Sequence, residues 1–117
     1  RLSDIYSNLS DVVKEFQPAV LVLEKIFSHY KHPQTAILMG HARGAICLVA
    51  GMNDVRLVNY TATRIKKAVT GNGRAGKHQV QSTVQGIMGL KTAPNPVDIS
   101  DAIAMAISYV YIEGTGR

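Results

Sequence analysis

A second cysteine is missing from this 117-residue chain. Cys47 stands alone, so no intrachain disulfide can form and a reducing interior is the natural compartment. Apolar runs stop short of membrane-spanning length. Ala36 to Gly51 comes closest, but His41 and Arg43 interrupt it and the run is too short. No basic-then-apolar leader follows Arg1, so export is not expected. Internal repeats and low-complexity tracts are absent too. With 46% apolar and 18% charged residues the composition excludes a disordered chain and fits a globular one. One soluble, cytoplasmic domain is expected, large enough to bury roughly 65% of its unfolded surface.

The most informative absence is of negative charge. Between Val55 and Val97 there is no Asp or Glu, while Arg56, Arg64, Lys66, Lys67, Arg74, Lys77 and Lys91 all fall there. The net charge of +5 is therefore concentrated in one stretch. Such one-signed potential attracts polyanions. A merely solvated face normally mixes both signs, so nucleic acid is the favoured partner.

Hydrophobic spacing predicts a helix from Leu2 to Phe16, closed by Pro18. Ala19 to Leu23 reads as a strand buried on both faces, with Glu24 at its C-terminal end. A second helix is expected from about Gln34 to Ala50. Its small residues Ala36, Gly40 and Gly44 permit close helix approach, inside the domain or across a dimer. Arg56 to Tyr60 reads as a second strand, and Thr61 opens a basic helix ending near Val69. After a glycine-rich loop come helices at Lys77 to Leu90 and Val97 to Ile112. The order implies an α/β fold with one parallel pair of strands and about five helices. Two parallel strands make an under-built sheet, so further strands before Arg1 are expected.

Three carboxylates occupy informative places. Glu24 ends an apolar strand, where open α/β sheets bind ligands. Asp98 and Asp101 lie three residues apart on the last helix and share a face. Carboxylates of this kind suit a hard ion such as Mg²⁺, and two such ions could support phosphodiester displacement. The plainer alternative makes Asp98 an N-cap with Asp101 in the first turn, and Glu24 a solvated strand end. Gly71-Asn72-Gly73-Arg74-Ala75-Gly76 matches G-x-G-x-x-G by letter, but a basic helix precedes it instead of a buried strand. It reads better as a phosphate-contacting loop with Arg74 and Lys77 than as a dinucleotide site. His29 and His32 lack further ligands nearby and read as loop residues. His41 reads as packing, His78 as surface, and Cys47 lacks an acid–base neighbour. Phe27, three residues after Glu24, could stack on an unpaired base or serve the core.

Together these stretches resemble the RuvC-type crossover (Holliday) junction endodeoxyribonucleases. The segments that carry the resemblance are Leu23-Glu24-Lys25-Ile26-Phe27, Gly40-His41-Ala42-Arg43-Gly44, Lys66-Lys67-Ala68-Val69-Thr70-Gly71, Gly76-Lys77-His78-Gln79-Val80-Gln81, and Asp98-Ile99-Ser100-Asp101-Ala102-Ile103-Ala104. No single motif decides; their order and spacing do. The resemblance implies a ribonuclease H-like fold and a homodimer that nicks four-way DNA junctions with Mg²⁺ or Mn²⁺, two ions per site. It implies branch-migration motor proteins as partners. Glu24, Asp98 and Asp101 match three of the family's four metal-binding catalytic acids. Lys66 and Lys77 match lysines near the scissile phosphate, Phe27 matches an aromatic that stacks at the opened crossover, and Gly40 to Gly44 would lie near the dimer interface. Arg64, Lys67 and Arg74 extend the DNA-binding set. The family's first catalytic acid sits in an Asp-x-Gly on a three-stranded antiparallel meander, which the resemblance puts upstream of Leu2. No Asp here is followed two residues later by Gly, so this chain alone is expected to be a very poor nuclease. The rival expectations are a non-catalytic DNA-binding module, another ribonuclease H-like nuclease, and a dinucleotide-dependent enzyme.

Overall fold

The computed structural model describes residues 1–25 and 32–114. The order is α1 (Leu2–Phe16), β1 (Val20–Glu24), α2 (Pro33–Met52), β2 (Arg56–Tyr60), α3 (Ala62–Thr70), α4 (Lys77–Met88) and α5 (Val97–Glu113). The α1 helix stops where Gln17 turns into the left-handed region and donates its N–H to the Val13 carbonyl at 2.8 Å. Pro18 follows and cannot continue the helix. Strand β1 begins one residue later than expected and takes in Glu24 itself.

The second helix is longer than expected. Pro33 occupies its first turn, where a missing N–H is harmless, and the helix runs on through Gly51 and Met52. This corrects the membrane expectation: Pro33–Met52, unlike the shorter run within it, is long and apolar enough to cross a bilayer by length and composition alone. His41 and Arg43 stand near its middle, where a bilayer tolerates charge poorly.

The chain divides into two compact units: Arg1–Leu21 with Ile26–Val58, and Val22–Lys25 with Asn59–Arg117. In the first, α1 packs on α2 around Val13, Val49, Ala50 and Val55, with Tyr6, Leu9, Leu21 and Leu57 against them. Gly40 and Gly44 take no part in that packing. Both are exposed, and a Cβ at either would meet nothing within 4 Å.

In the second unit α3, α4 and α5 pack pairwise. Their buried residues are Ile65 and Val69, Val80 and Val84, Ala104 and Ile107. Two serines of α5 are completely buried and each finds an acceptor. Ser100 donates to the Pro94 carbonyl at 3.3 Å, and Ser108 donates to the Ala104 carbonyl at 2.8 Å, with the Ile65 carbonyl 3.4 Å away. The first of these bonds ties the start of α5 to the turn before it, and the Ile65 carbonyl brings its middle against α3; a buried hydroxyl without a partner would be costly.

Strands β1 and β2 form the two-stranded sheet. The Arg56 N–H donates to the Ala19 carbonyl and the Lys25 N–H to the Tyr60 carbonyl, a parallel register that sets Glu24 beside Tyr60.

Candidate active site

Three helices and a strand end of the second unit each contribute residues to one cavity of about 230 Å³. It is lined by Glu24 of β1, by Ala62, Ile65 and Lys66 of α3, by Lys77 and Val80 of α4, and by Asp101, Ala104 and Met105 of α5. The helical spacing explains each set. Residues three and four apart share a face, so Lys66 goes with Ala62 on α3, Lys77 with Val80 on α4, and Asp101 with Ala104 and Met105 on α5. Each helix therefore places one charged group at the rim and apolar residues at the floor. Ile65, Val80 and Ala104 are buried, whereas Glu24, Lys77 and Asp101 are exposed and Lys66 is half-buried.

The loop between α3 and α4 sets the start of α4. Gly71 closes α3 at φ 82, in the left-handed region. The Thr70 hydroxyl donates to the Lys66 carbonyl at 2.7 Å and accepts from the Asn72 N–H at 3.0 Å. The Asn72 side-chain oxygen then accepts from the Arg74 N–H at 2.9 Å. Gly73 lies so close to α3 that a Cβ there would come within 3.0 Å of Thr63 Cγ2. The G-x-G-x-x-G letters thus form a tight helix-to-helix connection, not the strand-to-helix turn of a dinucleotide site.

Four of the candidate residues, Glu24, Lys66, Lys77 and Asp101, are brought together; Asp98, Arg64, Lys67 and Arg74 do not line the cavity. Asp98 is exposed in the first turn of α5, but the N-cap is Pro96, so Asp98 does not play the capping role either. Lys67 and Arg74 are exposed on α3 and the glycine loop. Arg64 holds its guanidinium carbon 5.1 Å from the centre of the Tyr60 ring. Phe27 and His29 lie outside the described residues. His32 precedes α2 as its N-cap, and His41 and His78 are exposed, which corrects the packing expectation for His41. Cys47 is a half-buried free thiol.

The chemistry of the donor set decides what the cavity can hold. Two carboxylates and two ammonium groups face one volume, a combination suited to a phosphodiester with a hard cation. Such an ion binds through one or two carboxylates and completes its shell with water and substrate phosphate. Among the described residues no group of three His, Cys, Asp or Glu could hold a metal, so a cage built from protein ligands alone is absent there.

Sequence reasoning missed two features. One is the hydrocarbon floor, whose residues are scattered over three helices. The other is Tyr60, which is 2% exposed and donates its hydroxyl to Glu113 Oε2 at 3.3 Å. Burial, followed by the charge of Glu113, raises its pKa above the ordinary phenol value. The parallel register beside Glu24 was the signal that could have pointed to it.

Comparison with known proteins gives the same direction. The family described as Crossover junction endodeoxyribonuclease RuvC matches residues 1–109. The relative of that name from Rhodopirellula baltica is 46% identical over 112 residues, which are 96% of this chain and 63% of that protein. The one from Desulforamulus reducens is 40% identical over 116 residues, 98% of this chain and 70% of that protein. Among solved structures, Thermus thermophilus RuvC superposes with a TM-score of 0.87 at 31% identity, covering 96% of this chain and 67% of that one. The T. thermophilus RuvC in complex with Holliday junction substrate gives 0.90 at 31% identity, covering 98% and 69%. The chain thus spans just under two thirds of the Rhodopirellula protein's length. The fold is the ribonuclease H-like one that the resemblance implied, and the chain belongs to the RuvC family of crossover junction endodeoxyribonucleases.

Proposed function

We propose that this protein resolves four-way (Holliday) DNA junctions in recombination and repair, as a divalent-metal-dependent endonuclease of the cytoplasm. The observation that carries this reading is the convergence of Glu24, Asp101, Lys66 and Lys77 on one cavity. Lys66 and Lys77 bind and orient the scissile phosphate by charge-assisted hydrogen bonds. Glu24 and Asp101 would hold Mg²⁺ or Mn²⁺, two ions in the intact site, with Asp98 one turn upstream and the Asp of an upstream Asp-x-Gly completing the acids. Bound ions of this kind supply an activated water and stabilise charge on the attacking and leaving oxygens. The buried floor of Ile65, Val80 and Ala104 limits water beneath the phosphate.

Arg64, Lys67 and Arg74 extend the basic surface along the DNA backbone, and Phe27 stacks on a base at the crossover. The working unit is a homodimer, supplied with junctions by branch-migration motor proteins. These assignments rest on the match to the family's motifs. The test is cleavage of a synthetic four-way junction by the full-length protein. Paired nicks are expected with Mg²⁺ and none with chelator, and a linear duplex of the same sequence should be cut far more slowly. Equal rates on both substrates would point to another ribonuclease H-like nuclease.

A second reading, a DNA-binding module without catalysis, draws support from the lack of a three-acid group among the described residues. Tight junction binding with no Mg²⁺-dependent cutting would favour it.

A further inference from the structure

We infer that Tyr60 is a positioning residue for the cavity, linking the strand and helices that carry its charged groups; this deepens the endonuclease reading and rests on it. Three interactions converge on this one side chain and its carbonyl. The carbonyl accepts the Lys25 N–H at 2.7 Å, which fixes the backbone immediately after Glu24. The ring lies under the Arg64 guanidinium, one turn or less from Lys66 on α3. The hydroxyl donates to Glu113 Oε2 at 3.3 Å, at the end of the helix that bears Asp101.

The remaining anchors of α5 explain why this one matters. Ser100 ties the helix start to the Pro94 carbonyl, and Ser108 lies against the Ile65 carbonyl in its middle. The Tyr60–Glu113 bond joins α5 to a strand. The strand in question is the one paired with Glu24's. A rigid helix turns as a unit, so releasing its end shifts Asp101 relative to Glu24 by a small angle. Small misplacements of reacting groups have large effects on rate, up to about 100-fold for 1 Å. The ring's burial at 2% exposure leaves the hydroxyl few other directions.

The test uses full-length protein with Tyr60→Phe, which keeps the ring and the carbonyl and removes only the hydroxyl. Two readouts are taken: the carboxyl ¹³C signals of Glu24 and Asp101, and kcat and KM for junction cleavage. The Asp101 signal is expected to move while those of Asp4 and Asp11 on α1 stay. Turnover should fall about tenfold with KM unchanged. Glu113→Ala should reproduce both effects from the exposed side of the bond, and Glu113→Gln should restore wild-type behaviour because its amide oxygen still accepts from the phenol. Unmoved Asp101 and Glu24 signals in Tyr60→Phe overturn the inference, whatever the cleavage assay gives. Equal turnover of Tyr60→Phe and wild type also overturns it. A wild-type protein that cuts no junction counts against the endonuclease reading instead, and the carboxyl signals still decide the role of Tyr60.

Discussion

Glu24 and Asp101 line the same cavity as Lys66 and Lys77 with opposite charge, so substitutions at the two pairs should separate cleavage from binding. Glu24→Gln and Asp101→Asn remove carboxylates from beside the phosphate. Junction cleavage is expected to fall by about 100-fold or more while junction affinity stays level or rises, as single-turnover rates and gel shifts can show. Lys66→Ala and Lys77→Ala should instead weaken junction binding, each lowering the slope of log K against log salt by about 1. Tyr60 makes a prediction of a different kind. Its pKa is raised in the folded protein, so the neutral phenol is favoured there over the unfolded chain. The stability this contributes is complete below the unfolded value of about 10 and is lost as pH rises through the folded one. Denaturation measured between neutral and strongly alkaline pH should therefore show a steeper alkaline loss for wild type than for Tyr60→Phe.

At the scale of elements, much of the structure could be read from residue spacing. Strand β2 spans Arg56–Tyr60 and α1 spans Leu2–Phe16, as predicted, because clear periodicity and a nearby proline define them. Helix α4 ends at Met88, two residues early, because Gly89 takes φ 66 and caps it. Helix α2 overran its prediction because Pro33 and Gly51 look like breakers but are harmless in a first and a last turn. The cavity was legible only in part. Glu24 and Asp101 could be singled out by position, yet nothing in spacing alone distinguishes Asp101, on the cavity, from Asp98, off it. That distinction comes from how α5 docks on α3 and α4, a tertiary contact in which buried Ser108 meets the Ile65 carbonyl. Tyr60 and Glu113 are far apart in sequence, and no local pattern links them. Glycines offer a contrast that urea denaturation can check. Gly71→Ala forces a side chain into the left-handed region and should destabilise by about 1–2 kcal/mol. Gly40→Ala, in open helix, should stabilise by about 0.5–1 kcal/mol.

At the scale of the whole molecule, α2 carries the clearest unfinished surface of its own unit. Ile37, Leu38, Met39, Leu48 and Met52 are all exposed on it, beside the open Gly40 and Gly44. With the homodimer proposed above, such a helix is expected to meet its copy. Full-length protein should sediment as a dimer, and Leu38→Asp should shift it toward monomer by placing a charge where apolar contact is needed. Retained dimer in that variant would move the interface elsewhere.

The hydrocarbon beneath the cavity has an electrical consequence. Ile65, Val80 and Ala104 form a poorly polarisable bed, so the field of the charges above it spreads outward through the mouth instead of dissipating into the protein. Counter-ions in solution screen the approach of DNA over distances of about 8–10 Å, but reach a phosphate already seated on that bed far less. For the junction endonuclease proposed above, ionic strength should therefore act on arrival and hardly on the chemistry that follows: salt is expected to strip the protein from its substrate well before it slows the cut.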